Sequence, residues 1–132
     1  MPEKAAYCFG KTVQRPYEDT VARTRESLQN QGFGVLSEID VQDKLKEKLG
    51  LDFQPYIILG ACNPKLASQA LSAEPNLGVL LPCNVIVYRS EEGGTRVMAM
   101  DPVAALSLVD NPEVERIAHQ VRDLLSKALE SI

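Results

Sequence analysis

The pattern that most constrains this chain lies near its C-terminus, where apolar residues recur at helical spacing after Asn111 and Pro112. Asn is a preferred N-cap and Pro a preferred first helical residue, so a helix is expected to begin here. Its apolar stripe consists of Val114, Ile117, Ala118, Val121, Leu124, Leu125, Ala128 and Leu129. A helix with one apolar face must bury that face, so the chain has to supply a second layer for it to pack on.

The residues before this helix indicate that the second layer is a β-sheet. Residues 82–89 and 95–100 have strand patterns, and the Glu-Gly-Gly sequence at 92–94 is a hairpin turn signal. Further strands are predicted at 6–13, 33–39 and 56–62, and helices after Pro16, Asp40 and Asn63. The order is therefore β-α-β-α-β-α-β-β-α. It predicts an α+β fold, a single two-layer domain with helices packed against a mixed or antiparallel sheet.

Composition restricts the function classes. The chain has 132 residues, 45% of them apolar and 24% charged, with no low-complexity linker, so one domain over residues 1–132 is expected. The net charge of −4 and the lack of a concentrated basic patch disfavour nucleic-acid binding. The longest apolar run, 79–87, is interrupted by Pro82 and Asn84 and is too short to span a membrane, so no membrane partner is expected.

The cysteines indicate a reducing compartment. The chain contains Cys8, Cys62 and Cys83, an odd number, and its first residues lack the layout of a secretory signal. Free thiols in the cytoplasm are therefore expected.

Two segments carry a family resemblance. YIILGACNP at 56–64 and GVLLPCNVIVY at 78–88, together with Asp101-Pro102 and the last helix, resemble the domain-of-unknown-function 302 family over about residues 5–130. The resemblance implies a compact α+β fold that is often dimeric and has no established biochemical activity. A homodimer is accordingly expected, and no cofactor is indicated.

Cys62 is the candidate catalytic residue. It ends a predicted strand and directly precedes the predicted N-cap Asn63, and the positive end of a helix stabilises a thiolate and lowers the pKa of a thiol. Such a residue is suited to nucleophilic or redox chemistry. The alternative is a small buried side chain at a tight strand-to-helix corner, because free cysteines are often core residues.

The candidate ligand-binding residues are Cys62, Asn63, Cys83, Asn84 and Asp101. Asn84 lies within an apolar run, so it is expected to be buried and either to bond a neighbouring loop or to face a pocket. Asp101 precedes Pro102 at a strand end, where it either caps the next turn or lies at the rim of a site. Two thiols are too few for zinc, so no metal site is predicted.

Three functions remain open. The first is a small-ligand binding or sensing module with its site at the two Cys-Asn segments. The second is a homodimeric structural or interaction protein without a pocket, in which those segments only pack. The third is a thiol-dependent redox enzyme using Cys62, against which the single histidine counts: His119 falls on the polar side of the last helix, away from any obvious nucleophile. If Tyr7, Tyr56, Tyr88 and Asn84 share one cleft, a planar or anionic ligand is also plausible.

Overall fold

Six strands form one antiparallel sheet in the computed structural model, which describes residues 3–132. The strands are β1 Glu3–Lys4, β2 Cys8–Val13, β3 Gly34–Asp40, β4 Tyr56–Cys62, β5 Cys83–Arg89 and β6 Thr95–Met100. Their order across the sheet is β1-β2-β6-β5-β4-β3. All neighbouring strands are antiparallel, which decides between the two sheet types that the sequence left open.

Five α-helices complete the fold: α1 Tyr17–Asn30, α2 Val41–Leu49, α3 Pro64–Ala73, α4 Pro102–Ala105 and α5 Pro112–Glu130. Short 3₁₀ helices cover Pro75–Leu80 and Ser107–Val109. The predicted α+β class and the order of the longer elements are confirmed. The structure adds the two-residue strand β1 and, between α3 and β5, the 3₁₀ helix Pro75–Leu80, part of a segment for which the sequence indicates only a loop at residues 74–76.

Three of the helices begin at the predicted residues, and in each the side chain of the N-cap residue accepts a hydrogen bond from a backbone N–H of the first turn. The Asn63 side chain accepts a hydrogen bond from the backbone N–H of Leu66 at 3.1 Å, and Asn111 accepts one from the N–H of Glu113 at 3.0 Å. Asp40 caps α2 in the same way. These bonds satisfy N–H groups that have no partner within the helix.

One face of the sheet carries the main core. The side chains of Leu59, Val85, Val87, Val97 and Ala99 are at most 1% exposed and pack with residues of α1 and α5. A second cluster joins α3, α4 and α5 through residues such as Ala70, Leu106 and Ile117.

Hydroxyl groups on α1 are buried in the same core without losing their hydrogen bonds. Thr24 is fully buried, and its Oγ1 donates to the backbone carbonyl of Thr20 at 2.7 Å. The Ser27 hydroxyl donates to the carbonyl of Ala128 on α5. These bonds remove most of the cost of burying polar atoms.

The opposite face of the sheet, here called the open face, carries half-buried or exposed side chains. Its residues are Tyr56, Ile58, Asn84, Ile86, Tyr88, Arg96, Met98 and Met100. The strand register sets them in rows across the sheet: Tyr56 lies beside Tyr88 and Arg96, and Ile58 beside Ile86 and Met98.

Candidate functional site

A cavity of about 340 Å³ lies between one end of the sheet and the helices. The ends of β4 and β5 form one wall, the 3₁₀ helix after α3 another, and α3, α4 and α5 the rest. Its lining is mostly apolar and includes Phe33, Leu36, Leu66, Ala67, Ala70, Leu71, Leu77, Leu81, Pro82, Pro102, Leu106, Ile117 and Val121. The volume is within the range of small-molecule sites.

Polar groups are few and lie on the sheet side of this cavity. They belong to Ser37, Cys62, Asn63 and Cys83. Leu36 and Leu71 line the cavity and are also 69% and 38% exposed, so they mark its mouth. The arrangement suits a mainly apolar molecule with one or two polar atoms, because a ligand rich in polar groups would lose water there without gaining partners.

The corner that holds Cys62 and Asn63 is built by local sequence. Cys62 is the last residue of β4, and Asn63 caps α3 with Pro64 as first helical residue. Gly32, at a φ of 85°, leaves room for the Asn63 side chain: a Cβ on Gly32 would stand 3.2 Å from Asn63 Nδ2. The predicted N-cap is therefore confirmed, and its carboxamide oxygen is occupied by the helix.

Both thiols in the cavity wall are harder to ionise than a free cysteine. Burial raises the pKa of Cys62. Burial, together with the neighbouring Cys62, raises the pKa of Cys83 to about 11. The sequence suggested that the helix terminus lowers the pKa of Cys62; the structure gives the opposite direction, because loss of water disfavours the thiolate. Both groups are protonated thiols at neutral pH.

Asn84 does not lie with the cysteines, and the prediction that it is buried is wrong. Successive side chains of a strand point to opposite faces, so Asn84 points away from the cavity that its neighbour Cys83 lines. It is exposed on the open face, opposite Gly60. The apolar run around Asn84 suggested burial on both faces, whereas only the Cys83, Val85 and Val87 side is fully buried.

Asp101 is a capping residue next to the cavity. Its Oδ1 accepts from the N–H groups of Val103 and Ala104 at 3.0 and 3.4 Å, and its Oδ2 lies 3.8 Å from Nε of Arg122. The side chain is not part of the cavity lining, whereas the following Pro102 is. Asp101 therefore positions α4, one of the cavity walls.

A second, shallower depression of about 700 Å³ covers the open face. Tyr7, Tyr56, Tyr88 and Asn84 all line this depression. This arrangement is the condition under which the sequence makes a planar or anionic ligand plausible. The rings of Tyr56 and Tyr88 are stacked, with centroids 5.1 Å apart and planes at 12°. Arg96 donates to the hydroxyl of Tyr88 at 3.2 Å.

Three residues that the sequence singled out, Cys62, Asn63 and Cys83, lie on the sheet side of the cavity, whereas the sequence did not indicate its helical side. The apolar residues Leu66, Ala67, Ala70 and Leu71 of α3 all line the cavity, and Leu71 is also exposed, but no local pattern in the sequence shows that the space beyond them stays unfilled.

Neither a metal cluster nor a membrane helix was found within residues 3–132. The described residues contain no group of three or more His, Cys, Asp or Glu side chains placed to hold a metal ion. None of the described helices has the length and hydropathy needed to cross a bilayer. His119 is exposed on α5, as predicted.

The chain is similar to proteins whose function is not established. The model of the family described as domain of unknown function DUF302 matches residues 9–132. A solved structure described as an uncharacterised conserved DUF302 protein from Bacillus stearothermophilus is 34% identical, with a TM-score of 0.88, and the match covers 96% of this chain and 98% of that one. No functionally curated protein matches the chain.

Proposed function

The chain belongs to the DUF302 family, and we propose that it is a small-ligand binding module that holds a mainly apolar molecule in the cavity beside Cys62 and Cys83. The observation that carries the proposal is the cavity itself: about 340 Å³ of space, lined by apolar side chains, within a domain whose sheet core is otherwise closely packed. A concave, mainly apolar site of this size with a few polar groups is typical of small-molecule binding sites.

The polar residues of the wall give the ligand its orientation. Ser37, Cys62 and Asn63 lie on the sheet side, so a hydroxyl, carbonyl or amide group of the ligand is expected to face them while its apolar part contacts α3 and α5. Cys83, at 6% exposed, contributes shape and polarisable surface. Asn84 and Asp101 have no contact with this cavity, and we assign them no ligand contact there.

The thiol-enzyme alternative is weaker on this geometry. A cysteine nucleophile reacts as the thiolate, and the raised pKa of Cys62 keeps it protonated at neutral pH. The exposed position of His119 on α5 also leaves it unsuited to act as the base for Cys62.

A cavity-filling substitution tests the binding proposal. Ala67 is a half-buried residue of α3 in the cavity wall, and Ser68 is its exposed neighbour on the same helix. The neutral fluorescent probe N-phenyl-1-naphthylamine is expected to bind the wild-type protein saturably. Ala67→Phe is expected to weaken that binding at least about tenfold, because the new ring occupies the same space. Ser68→Phe, the matched control, is expected to leave it unchanged.

Two results would contradict the proposal. One is the absence of saturable probe binding to the wild-type protein. The other is equal affinity of the wild type and Ala67→Phe, provided that circular dichroism shows both to be folded.

We further propose a cytoplasmic homodimer, with residues 1–132 acting as one domain. Three free cysteines support the compartment. Support for the dimer comes from β3, an edge strand of the sheet on which Leu36 and Ile39 are 69% and 48% exposed, since such edges readily pair with another strand. Light scattering coupled to size exclusion tests this: a mass near the 14.5 kDa of one chain, rather than twice that, contradicts it.

A further inference from the structure

We infer that the ligand of the apolar cavity is a medium-chain fatty acid, an unbranched aliphatic carboxylate that enters chain first and leaves its charged head at the mouth, beside Asn63. This assignment depends on the proposed function, because it names the ligand of the same cavity. It rests on the exposure of the lining residues, on the length and composition of the lining, and on the groups next to Asn63.

The best-buried part of the cavity is almost purely apolar. Ala70, Leu106 and Ile117 line it there and are at most 8% exposed. The polar lining residues other than Cys83 are not buried: Ser37 is exposed, and Cys62 and Asn63 are half-buried. An alkyl chain gains free energy by leaving water, whereas an ionised group loses it, so an amphiphile lies with its chain inside and its head at the mouth.

The lining suits a flexible chain better than a system of rings. On α5 it runs from Val114 to Val121, a distance of about 10 Å at about 1.5 Å per residue. An extended chain advances about 1.2 Å per bond, as the backbone does, so about nine or ten carbons cover this length. Phe33 is the one aromatic residue among the described lining residues, which gives an aromatic ligand few rings to pack against.

The start of α3 suits an anionic acceptor at the mouth. Asn63 Oδ1 accepts a hydrogen bond from the N–H of Leu66 at 3.1 Å, which leaves Nδ2 as the end of the carboxamide that donates to a ligand. Asn63 is also the N-cap of a helix of 10 residues, Pro64–Ala73, whose partial positive charge at this end favours an anion. A carboxylate next to Asn63 therefore finds both a donor and a favourable field.

A cation stands on the same turn of the helix. Asn63 also lines a shallow depression on the outer surface, whose charged residues are Lys65, Arg116 and Asp123. Arg116 forms an ion pair with Glu113, whereas the exposed Lys65 lies two residues after Asn63, in the first turn of α3. An ammonium group near the head adds to the preference for a carboxylate over a neutral head.

The first test measures how affinity depends on chain length. Straight-chain carboxylates of about four to fourteen carbons, each below its micelle concentration, displace N-phenyl-1-naphthylamine from the full chain at neutral pH. Each added methylene is expected to raise the affinity about fourfold, because its transfer from water contributes about 0.8 kcal/mol. The rise is expected to stop at about ten carbons, where the chain has covered the lining.

A variant in the buried part of the cavity tests the direction of entry. Ala118 is a buried lining residue on α5, and His119 is its exposed neighbour. Ala118→Leu is expected to stop the rise at chains about two or three carbons shorter while leaving the shortest chains unaffected, and His119→Leu is expected to change nothing. In the wild type, NMR contacts from the terminal methyl group of decanoate are expected at Ile117 and Ala118, which tests the same point if Ala118→Leu does not fold.

A second pair of variants tests the position of the head. Asn63→Asp keeps an oxygen that caps α3 and adds a negative charge beside the mouth. It is expected to weaken decanoate binding at least about tenfold and to leave the neutral decanamide unaffected, because like charges repel. Ser68→Asp adds the same charge at an exposed position of α3 outside the cavity lining, and it is expected to change neither affinity. In the wild type, decanoate is expected to bind at least about fivefold more tightly than decanamide.

The outcomes separate this inference from the binding proposal. Absence of saturable naphthylamine binding removes both, whereas naphthylamine binding that no carboxylate displaces overturns only the fatty acid. The fatty acid is also overturned by an affinity that does not depend on chain length, or that still rises at fourteen carbons. Contacts of the terminal methyl group at Leu36 instead of Ile117, an unchanged chain-length limit in folded Ala118→Leu, or equal effects of Asn63→Asp and Ser68→Asp overturn it as well.

Discussion

Alkaline destabilisation through Cys83 follows directly from its position in the cavity wall. In the folded protein, burial and the nearby Cys62 raise the pKa of this thiol from 9.0 to about 11. Above pH 9 the unfolded chain loses the thiol proton while the folded chain keeps it. The unfolded state then binds fewer protons, so the free energy of unfolding falls as pH rises and levels off above pH 11.

The magnitude follows from the same shift. Each pKa unit corresponds to about 1.4 kcal/mol, so the full loss is between about 2 and 3 kcal/mol, and most of it is present at pH 10.5. Tyr17 and Tyr56 also have raised pKa values and destabilise the protein in the same direction. The Cys83 contribution must therefore be isolated by difference.

The assay is urea unfolding of the wild type and Cys83→Ala at pH 8 and pH 10.5 under reducing conditions. The stability advantage of the wild type over Cys83→Ala is expected to shrink by about 2 kcal/mol between the two pH values. Val85→Ala, a buried position on the same face of β5 without a titrating group, is the control, and its deficit is expected to stay constant. An unchanged difference between the wild type and Cys83→Ala would refute the reasoning.

Two further predictions concern stability at neutral pH, and both are measured by urea unfolding. Asn63→Ala is expected to lower the free energy of unfolding by about 1 kcal/mol, because it removes the hydrogen bond from the N–H of Leu66. Asn84→Ala, at an exposed position, is expected to stay within about 0.5 kcal/mol of the wild type. Similar losses at both positions would contradict the assignment of Asn63 as the cap. Leu59→Ala is expected to cost about 2 to 5 kcal/mol, whereas Leu36→Ala, at a 69% exposed side chain, is expected to cost under about 1 kcal/mol. A small effect at Leu59 would mean that the sheet core tolerates a cavity there.

The longer elements of the fold could be predicted because each has a local signal. Asn63 and Asn111 are followed by Pro, and both cap helices as predicted. The two glycines of the β5–β6 turn have positive φ values of 101° and 77°, which glycine adopts at little cost. The strand order had no such signal, because β2 pairs with β6 through contacts distant in sequence.

The candidate site was only partly predictable for a related reason. Cys62 and Cys83 line one cavity because β4 and β5 are neighbours, with Ala61 opposite Cys83, and sequence alone does not show that pairing. Asn84 points to the other face of the sheet, because successive side chains of a strand alternate between its faces; the continuous apolar run suggested burial on both faces. The direction of the thiol pKa shifts also depends on burial by residues far away in the chain.

The place of β2 in the sheet has a consequence for the order in which this chain can fold. β4, β5 and β6 each pair with the strand that directly precedes them in the chain. β2, in contrast, pairs with β6, which comes much later in the chain; Thr12, for example, lies opposite Arg96. Helix α1 likewise contacts the later helix α5, because the Ser27 hydroxyl donates to the carbonyl of Ala128. During synthesis β2 therefore lacks its neighbour β6, and α1 lacks its contact with α5, until those later elements have been made. The loop that these contacts close is long, which places them among the slow steps of folding.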